Sequence, residues 1–181
     1  MRRFVALMMF AGACLGAESA PLPSASLYQF DAALTNQDGR AHGLDVYRGH
    51  PVLITMFYAS CPAACPLIID TLRATEKALT PAQRADLRVL MISIDPERDS
   101  VVALRTLAEQ RHVDTSRWSL ARADSAEVRT IAAMLNVQYR QLPGGEFNHS
   151  SVITLLSPQG EIEATSSKLG TPDPQLVSQL R

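Results

Sequence analysis

The chain has 181 residues, of which 46% are hydrophobic, and this suits one globular domain with a full core. The formal net charge is −1, and only 6% of the residues are aromatic. Without a basic excess or a long Lys/Arg run, the composition excludes the usual electrostatic basis for binding nucleic acid, which is not an expected partner.

The first twenty residues predict a targeting segment that is not part of the fold. Two arginines precede an apolar stretch, residues 4–17, that is shorter than the roughly 20 residues of a membrane-spanning helix. We therefore interpret residues 1–20 as a secretory signal peptide, cleaved after Ala17 or Ala20. The alternative is a lipoprotein signal with a lipid anchor on Cys14. Both predict an exported protein, in the bacterial periplasm or at the outer face of the inner membrane, where thiols tend to form disulfides.

A Pro/Ser linker, residues 21–26, precedes the predicted globular domain, residues 27–181. Partial alternation of apolar residues predicts a first strand over residues 27–34. An Asn-Gln-Asp-Gly turn follows and predicts a hairpin with residues 40–45. The next strand, residues 52–58, is apolar at nearly every position, as expected for a central strand that is covered on both faces.

The rest of the chain alternates helical and extended patterns. Helices are predicted over residues 66–79, from residue 100 onward, around residues 125–135 and after residue 173, and strands over residues 87–95, 118–121, 152–156 and 161–166. Strands that alternate with helices, followed by a terminal hairpin, predict an α/β protein with a mixed central sheet. Residues 144–150 begin with two glycines and are predicted to form a flexible loop.

Two cysteines four positions apart, Cys61 and Cys65, lie between the central strand and the first helix. Strand, cysteine loop and helix in this order are the layout of a thioredoxin-type redox centre. A thioredoxin has two residues between its cysteines and this chain has three, so both sulfurs are able to turn toward one external atom as readily as toward each other. The pair is therefore a candidate redox pair or metal site, and a structural disulfide or two buried thiols is the alternative.

His149 stands after the glycine-rich loop and just before a predicted strand, where a thioredoxin places a proline against its cysteines. An imidazole in that place would complete a set of two thiolates and one nitrogen. Such a set suits Cu(I), and it also holds Cu(II) or Zn(II). A solvated loop histidine is the alternative, and that is how we interpret His42, His50 and His112, which have no comparable setting.

Two aspartates, Asp95 and Asp99, lie after the strand predicted over residues 87–95, and the ends of such strands line the site edge of an α/β sheet. We therefore expect Asp95 to face the cysteine loop, as a weak auxiliary ligand or as a group that tunes the charge of the thiolates, with helix capping as its alternative. For Asp99, capping of the helix that begins near Ser100 is the favoured interpretation.

Three motifs follow one another along the chain: Tyr58-Ala-Ser-Cys-Pro-Ala-Ala-Cys-Pro66, Ile94-Asp-Pro-Glu-Arg-Asp99, and Asn148-His-Ser followed by Leu155-Leu-Ser-Pro-Gln-Gly160. Their order and spacing resemble those of the SCO/SenC copper-chaperone family, over residues 26–180. The resemblance implies a thioredoxin-like three-layer fold with a mixed central sheet and an N-terminal hairpin, exposed in the cell envelope and often membrane-anchored. It also implies that Cys61, Cys65 and His149 hold copper, as Cu(I) or Cu(II).

The family's usual task is copper delivery to, or thiol reduction for, the binuclear copper centre of cytochrome c oxidase. The implied partners are the copper-bearing subunit of that oxidase, a thiol reductant and another copper chaperone. The chain departs from the family at Ala63, where an acidic residue is frequent, at Asn148, where Asp is frequent, and in the lead-in residues 59–60. These departures remove charge from the rim of the site and leave the three implied ligands in place.

Three other functions compete with the metallochaperone interpretation. A thiol–disulfide oxidoreductase that acts on exported proteins without metal would need both cysteines but not His149. A protein-interaction module would need none of the three. A peroxidase of the peroxiredoxin type is disfavoured, because Ile54 and Tyr58 stand where that chemistry needs Pro and Thr.

Overall fold

The computed structural model describes residues 21–61 and 64–180. The predicted signal segment with Cys14 and the residues 62–63 between the cysteines lie outside the described residues. The strands of the described part are β1 (Leu34–Asn36), β2 (Ala41–His42), β3 (Val52–Phe57), β4 (Arg88–Ser93), β5 (Trp118–Arg122), β6 (Tyr139–Gln141), β7 (Phe147–His149), β8 (Ile153–Leu156) and β9 (Ile162–Ser166). The α-helices are α1 (Ala64–Lys77), α2 (Pro81–Asp86), α3 (Val101–Gln110), α4 (Ser125–Met134) and α5 (Pro174–Gln179).

A seven-stranded mixed sheet organises the molecule, in the order β2-β1-β5-β4-β3-β8-β9. Strands β3, β4 and β5 are parallel, whereas β8 pairs antiparallel with β3, β9 with β8, and β1 with β5. All six residues of β3 are buried, because helices and loops cover both faces of a central parallel strand. The α/β class and the mixed central sheet are confirmed.

The carboxyl ends of β3 and β4 meet at one edge of the sheet. Phe57 at the end of β3 is in register with Ser93 at the end of β4, and the Ile94 amide donates to the Phe57 carbonyl at 2.8 Å. Both strands lead into the candidate site. Each of their fully buried large apolar side chains contributes roughly 1.5–3 kcal/mol to stability, so this edge of the sheet is firmly held.

The N-terminal segment corrects one prediction. Leu27–Gln29 form a 3-10 turn instead of the start of a strand. The Ser26 hydroxyl accepts from the Tyr28 amide, and the Leu27 amide donates to the Gly160 carbonyl at 2.9 Å, so these amides are satisfied outside any sheet ladder. The strand begins only at Leu34, and the N-terminal hairpin of β1 and β2 is confirmed.

Several helices begin at polar caps. Thr80 and Gln83 form a capping box at α2. At α4 the cap is Asp124, which accepts from the amides of the first turn, and Ser125 is the first helical residue. Among the helices that the structure describes, none is both long and apolar enough to cross a membrane.

The prediction that the glycine-rich segment forms a flexible loop is wrong. It forms a hairpin of β6 and β7, with Tyr139 paired to His149 and Gln141 to Phe147. The turn is closed by a bond from the Leu142 amide to the Glu146 carbonyl at 2.7 Å. We call residues 139–149 the His149 hairpin; it is a two-stranded sheet of its own, separate from the main sheet.

Candidate metal centre

The two cysteines lie at the junction between β3 and α1. A turn follows β3, closed by a bond from the Cys61 amide to the Tyr58 carbonyl at 3.2 Å. Because α1 begins at Ala64, Cys65 lies in its first turn, and the Cys65 amide donates to the Cys61 Sγ at 3.3 Å. Cys65 is only 3% exposed, whereas Cys61 is half-buried.

His149 comes to this junction from the far part of the chain, at the end of β7. Its Nδ1 lies 3.2 Å from the Ser150 carbonyl, and a carbonyl accepts hydrogen bonds only, so Nδ1 carries the proton. The Nε2 atom is buried and has no hydrogen-bond partner among the residues described. Burial lowers the pKa of His149, so the ring is neutral at neutral pH and Nε2 offers a lone pair.

Cys61, Cys65 and His149 form a group that could hold a metal ion. One ligand atom from each lies within 4.8 Å of the other two. Metal–sulfur and metal–nitrogen bonds of about 2.3 and 2.0 Å keep ligand atoms at most about 4.6 Å apart, so the group already has nearly the dimensions of a metal site. The structure thus brings together the three residues that the sequence predicts.

The electrostatics of Cys65 favour the thiol over the thiolate in the metal-free protein. Burial raises the pKa of Cys65, and a hydrogen bond with the Tyr58 backbone offsets this only in part. Since a metal binds the thiolate, binding must expel the Cys65 proton. The site therefore holds a neutral histidine and a protonated buried thiol until a metal arrives.

A cluster of aromatic side chains lies beside His149, in a role that the sequence patterns did not predict. The Tyr58 ring meets the His149 ring edge-on with 5.9 Å between centroids, and it packs on Phe147 at 5.5 Å. Phe147 also contacts Tyr139 across the hairpin at 6.2 Å. Phe147 and His149 are two positions apart on one strand and so share a face. This period of two was the signal in the sequence that could have revealed the cluster.

Comparison with known proteins fits this geometry. A sequence profile described as SCO1/SenC matches residues 23–181. The chain belongs to the SCO1/SenC family. The bovine mitochondrial protein SCO2 homolog is 30% identical over 150 residues, covering 77% of this chain and 53% of the relative, so the chain spans about half the length of that protein.

Solved Sco structures share the fold of this SCO1/SenC chain. Copper-bound ScoI from Bradyrhizobium japonicum superposes with a TM-score of 0.70 at 22% identity, covering 83% of this chain and 96% of that one. BsSco, whose structure is described as revealing a disulfide switch in a member of the Sco family of cytochrome c oxidase assembly proteins, gives 0.70 at 20%, covering 89% and 96%. The thioredoxin-like fold is therefore confirmed.

Asp99 has a different role in this SCO1/SenC chain from the helix cap that its position predicts. The cap of α3 is Ser100, which accepts from the Ala103 amide at 3.2 Å. The Asp99 carboxyl, 2% exposed, accepts instead from the Ala59 amide at 2.9 Å and the Ser93 hydroxyl at 2.6 Å. It therefore ties the residues before Cys61 to the end of β4, and burial raises its pKa.

Asp95 lies outside the cluster of three in this SCO1/SenC chain. Its buried carboxyl forms an ion pair with Arg98, and its amide donates to the Ser93 hydroxyl at 3.0 Å. The remaining histidines are elsewhere. His112 is exposed, and His50 pairs with Asp86 at 2.6 Å at the opposite end of β3.

Proposed function

We propose that this chain binds copper through Cys61, Cys65 and His149 and serves in the assembly of the copper centre of cytochrome c oxidase. The observation that carries the proposal is the cluster itself, with a buried histidine Nε2 that lacks any hydrogen-bond partner among the described residues. A buried polar atom without a partner costs free energy, and a metal ion bound to that atom would relieve the cost. Two relatives with this fold support the choice of copper and of the oxidase, since one was solved with copper and the other is described as an oxidase assembly protein.

Copper is the cargo of the proposed site, and each ligand has a distinct part in holding it. Two thiolates are soft donors and suffice for Cu(I), which accepts low coordination numbers. Cu(II) favours nitrogen donors and more ligands, so His149 is the residue that retains it. Cys61 is half-buried, which leaves one side of the cargo open to a partner. The proposed recipient is the copper-bearing subunit of the oxidase, and the proposed supplier is another copper chaperone.

A second candidate function, disulfide exchange without metal, is favoured by the closeness of the cysteines, whose ligand atoms share the same cluster. In that reaction the Cys61 thiolate attacks a target disulfide, forms a mixed disulfide and releases one target thiol. The Cys65 thiolate then attacks the Cys61 Sγ and releases the second target thiol. The target gains two electrons, the chain ends as a disulfide, and an external thiol reductant must restore it.

Anaerobic copper titration of the purified protein, as the dithiol and as the disulfide, tests the proposed function. We expect about one Cu(I) per chain in the dithiol form and none held tightly in the disulfide form, because only thiolates ligate. The double variant Cys61→Ser/Cys65→Ser should behave like the disulfide. Tight binding to the disulfide form would exclude the cysteine pair as the site, and no binding to either form would refute the copper proposal and leave disulfide exchange or a protein-interaction module.

We also propose that the protein works outside the cytoplasm, in the periplasm or at the outer face of the inner membrane. The support is the sequence of residues 1–20 alone. Mass spectrometry of the mature protein separates the two proposed forms: a new N-terminus after Ala17 or Ala20 marks a cleaved signal peptide, and a lipid mass on Cys14 marks an anchor. An intact Met1 on protein from the cytoplasm would contradict export.

A further inference from the structure

The His149 hairpin depends on side chains to hold it against the body of the molecule. In the described part of the chain, β6 and β7 pair with each other and not with the seven-stranded sheet. An isolated two-stranded hairpin is marginal in water. The position of His149 over the cysteines is therefore set by contacts between the hairpin and its neighbours.

Arg98 makes contacts of three kinds across this junction. Its Nε donates to the buried Asp95 carboxylate, and its Nη2 donates to the Gly145 carbonyl at the hairpin tip. Its guanidinium carbon lies 5.8 Å from the centroid of the Phe147 ring, within the range of a cation–π contact. One planar side chain thus joins the loop after β4 to both the tip and the β7 strand of the hairpin.

The hairpin tip is shaped to receive this arginine. Gly145 has a φ of +82°, which L side chains rarely adopt. A Cβ at this position would also lie 3.0 Å from the Arg98 Nη1, tighter than an ordinary contact. Gly145 therefore serves both the turn and the approach of Arg98.

The loop that carries Arg98 is held to the end of β4 by several hydrogen bonds. The Arg98 and Asp99 amides both donate to the Asp95 carbonyl, at 3.2 and 2.9 Å. The Ser93 hydroxyl accepts from the Asp95 amide and donates to the Asp99 carboxyl. Since Ser93 ends β4, the base of Arg98 is fixed to the main sheet.

We propose that Arg98 is a positioning residue that fixes the His149 hairpin to the sheet and so presents the His149 imidazole to the cysteine pair. Its importance for copper rests on the proposed function, because it acts through His149. Its mechanical role in the metal-free protein does not depend on copper.

Hydrogen exchange of the reduced, metal-free full chain tests the mechanical role. In Arg98→Ala we expect amides of the His149 hairpin to exchange about tenfold faster relative to those of β3, the scale of one partly exposed ion pair plus one cation–π contact. Arg98→Lys keeps the charge but not the planar fork, so it should recover only part of the protection. Arg111→Ala, at the other end of α3, is the matched control and should leave the hairpin unchanged.

Copper binding tests the effect on the site. Arg98→Ala should weaken Cu(II) binding by about tenfold and leave Cu(I) binding nearly unchanged, and it should add no further loss in a His149→Ala background. Should Arg98→Ala fail to fold because Asp95 loses its partner, Arg98→Lys keeps a cation beside Asp95 but lacks the planar fork that reaches Gly145, and it should show the same changes on a smaller scale.

Unchanged hairpin exchange, or exchange that rises equally in β3, would overturn the positioning role. So would an equal Cu(II) loss with and without His149. Faster hairpin exchange in a protein whose wild type binds no copper would refute the proposed function and leave the positioning role standing.

Discussion

Replacing His149 by alanine should separate Cu(II) binding from Cu(I) binding. The substitution removes one of three donor atoms that lie within 4.8 Å of one another and leaves both sulfurs in place. Loss of a group that only supports a ligand typically costs 10–100-fold in metal affinity, so loss of the ligand itself should exceed this range. We expect Cu(II) affinity to fall by at least about 100-fold, or ~2.7 kcal/mol, and Cu(I) affinity by about tenfold or less.

His149→Ala should also lower the stability of the metal-free protein, because the ring packs against a neighbour. This loss of packing must be measured separately from the loss of a metal ligand. The His149 ring packs edge-on against Tyr58 at 5.9 Å, and such pairs contribute about 0.5–1.5 kcal/mol. A melt of the metal-free variant measures this loss. His50→Ala is the matched control, because His50 lies far from the site. It precedes β3, the cysteines follow β3, and the six residues of this strand rise about 3.3 Å each. This variant should bind both copper ions like the wild type.

The assay is competition titration with Cu(I) and Cu(II) chelators on reduced protein, run beside disulfide-exchange kinetics. Exchange rates should stay near those of the wild type, since the substitution leaves both sulfurs in place. Equal Cu(II) affinity and equal spectra in wild type and His149→Ala would refute His149 as a ligand. A pure oxidoreductase would show unchanged exchange and no copper phenotype.

Three other predictions concern buried ionisable groups. Because the raised pKa of Cys65 means that copper must displace a proton, Cu(I) affinity should rise with pH, and the variant Cys65→Ser should lose part of that dependence, since the Cys61 thiol must still give up its proton. Burial also raises the pKa of Asp99, so its stabilisation is full below about pH 4 and is lost as pH rises through the raised value. Denaturant unfolding should therefore show wild type losing stability against Asp99→Asn as pH rises, and a constant difference would contradict this. Glu76→Ala removes one of the two carboxylate partners of the largely buried Arg117, which keeps Asp114, and should cost about 2 kcal/mol in unfolding, with copper affinity unchanged.

Local patterns predicted the platform of the site. The apolar run of β3 is followed by two cysteines and then by apolar residues at helical spacing. This pattern predicts a strand, a loop and a helix in that order. His149 is indicated by its position just before a predicted strand, where a thioredoxin has a proline. Each of these signals spans only a few residues, so a single sequence is enough to detect it.

Contacts between distant segments were beyond such patterns. Asp99 precedes a helix and reads as a cap, yet its partners Ala59 and Ser93 come from two other elements. Two glycines read as a flexible loop, but Gly145 supplies the positive φ of a closed hairpin turn. The bond from Arg98 to Gly145 joins residues 47 positions apart and leaves no periodic signal.

The coordination of bound copper tests the central claim most directly. X-ray absorption at the copper edge, on the reduced protein loaded with one Cu(II) per chain, counts sulfur and nitrogen neighbours separately. The proposed site predicts two sulfur ligands and at least one imidazole nitrogen, with the imidazole signal absent in His149→Ala and the sulfur signal absent in Cys61→Ser/Cys65→Ser. Copper bound by oxygen and nitrogen alone, with no sulfur neighbour in the wild type, would contradict the claim.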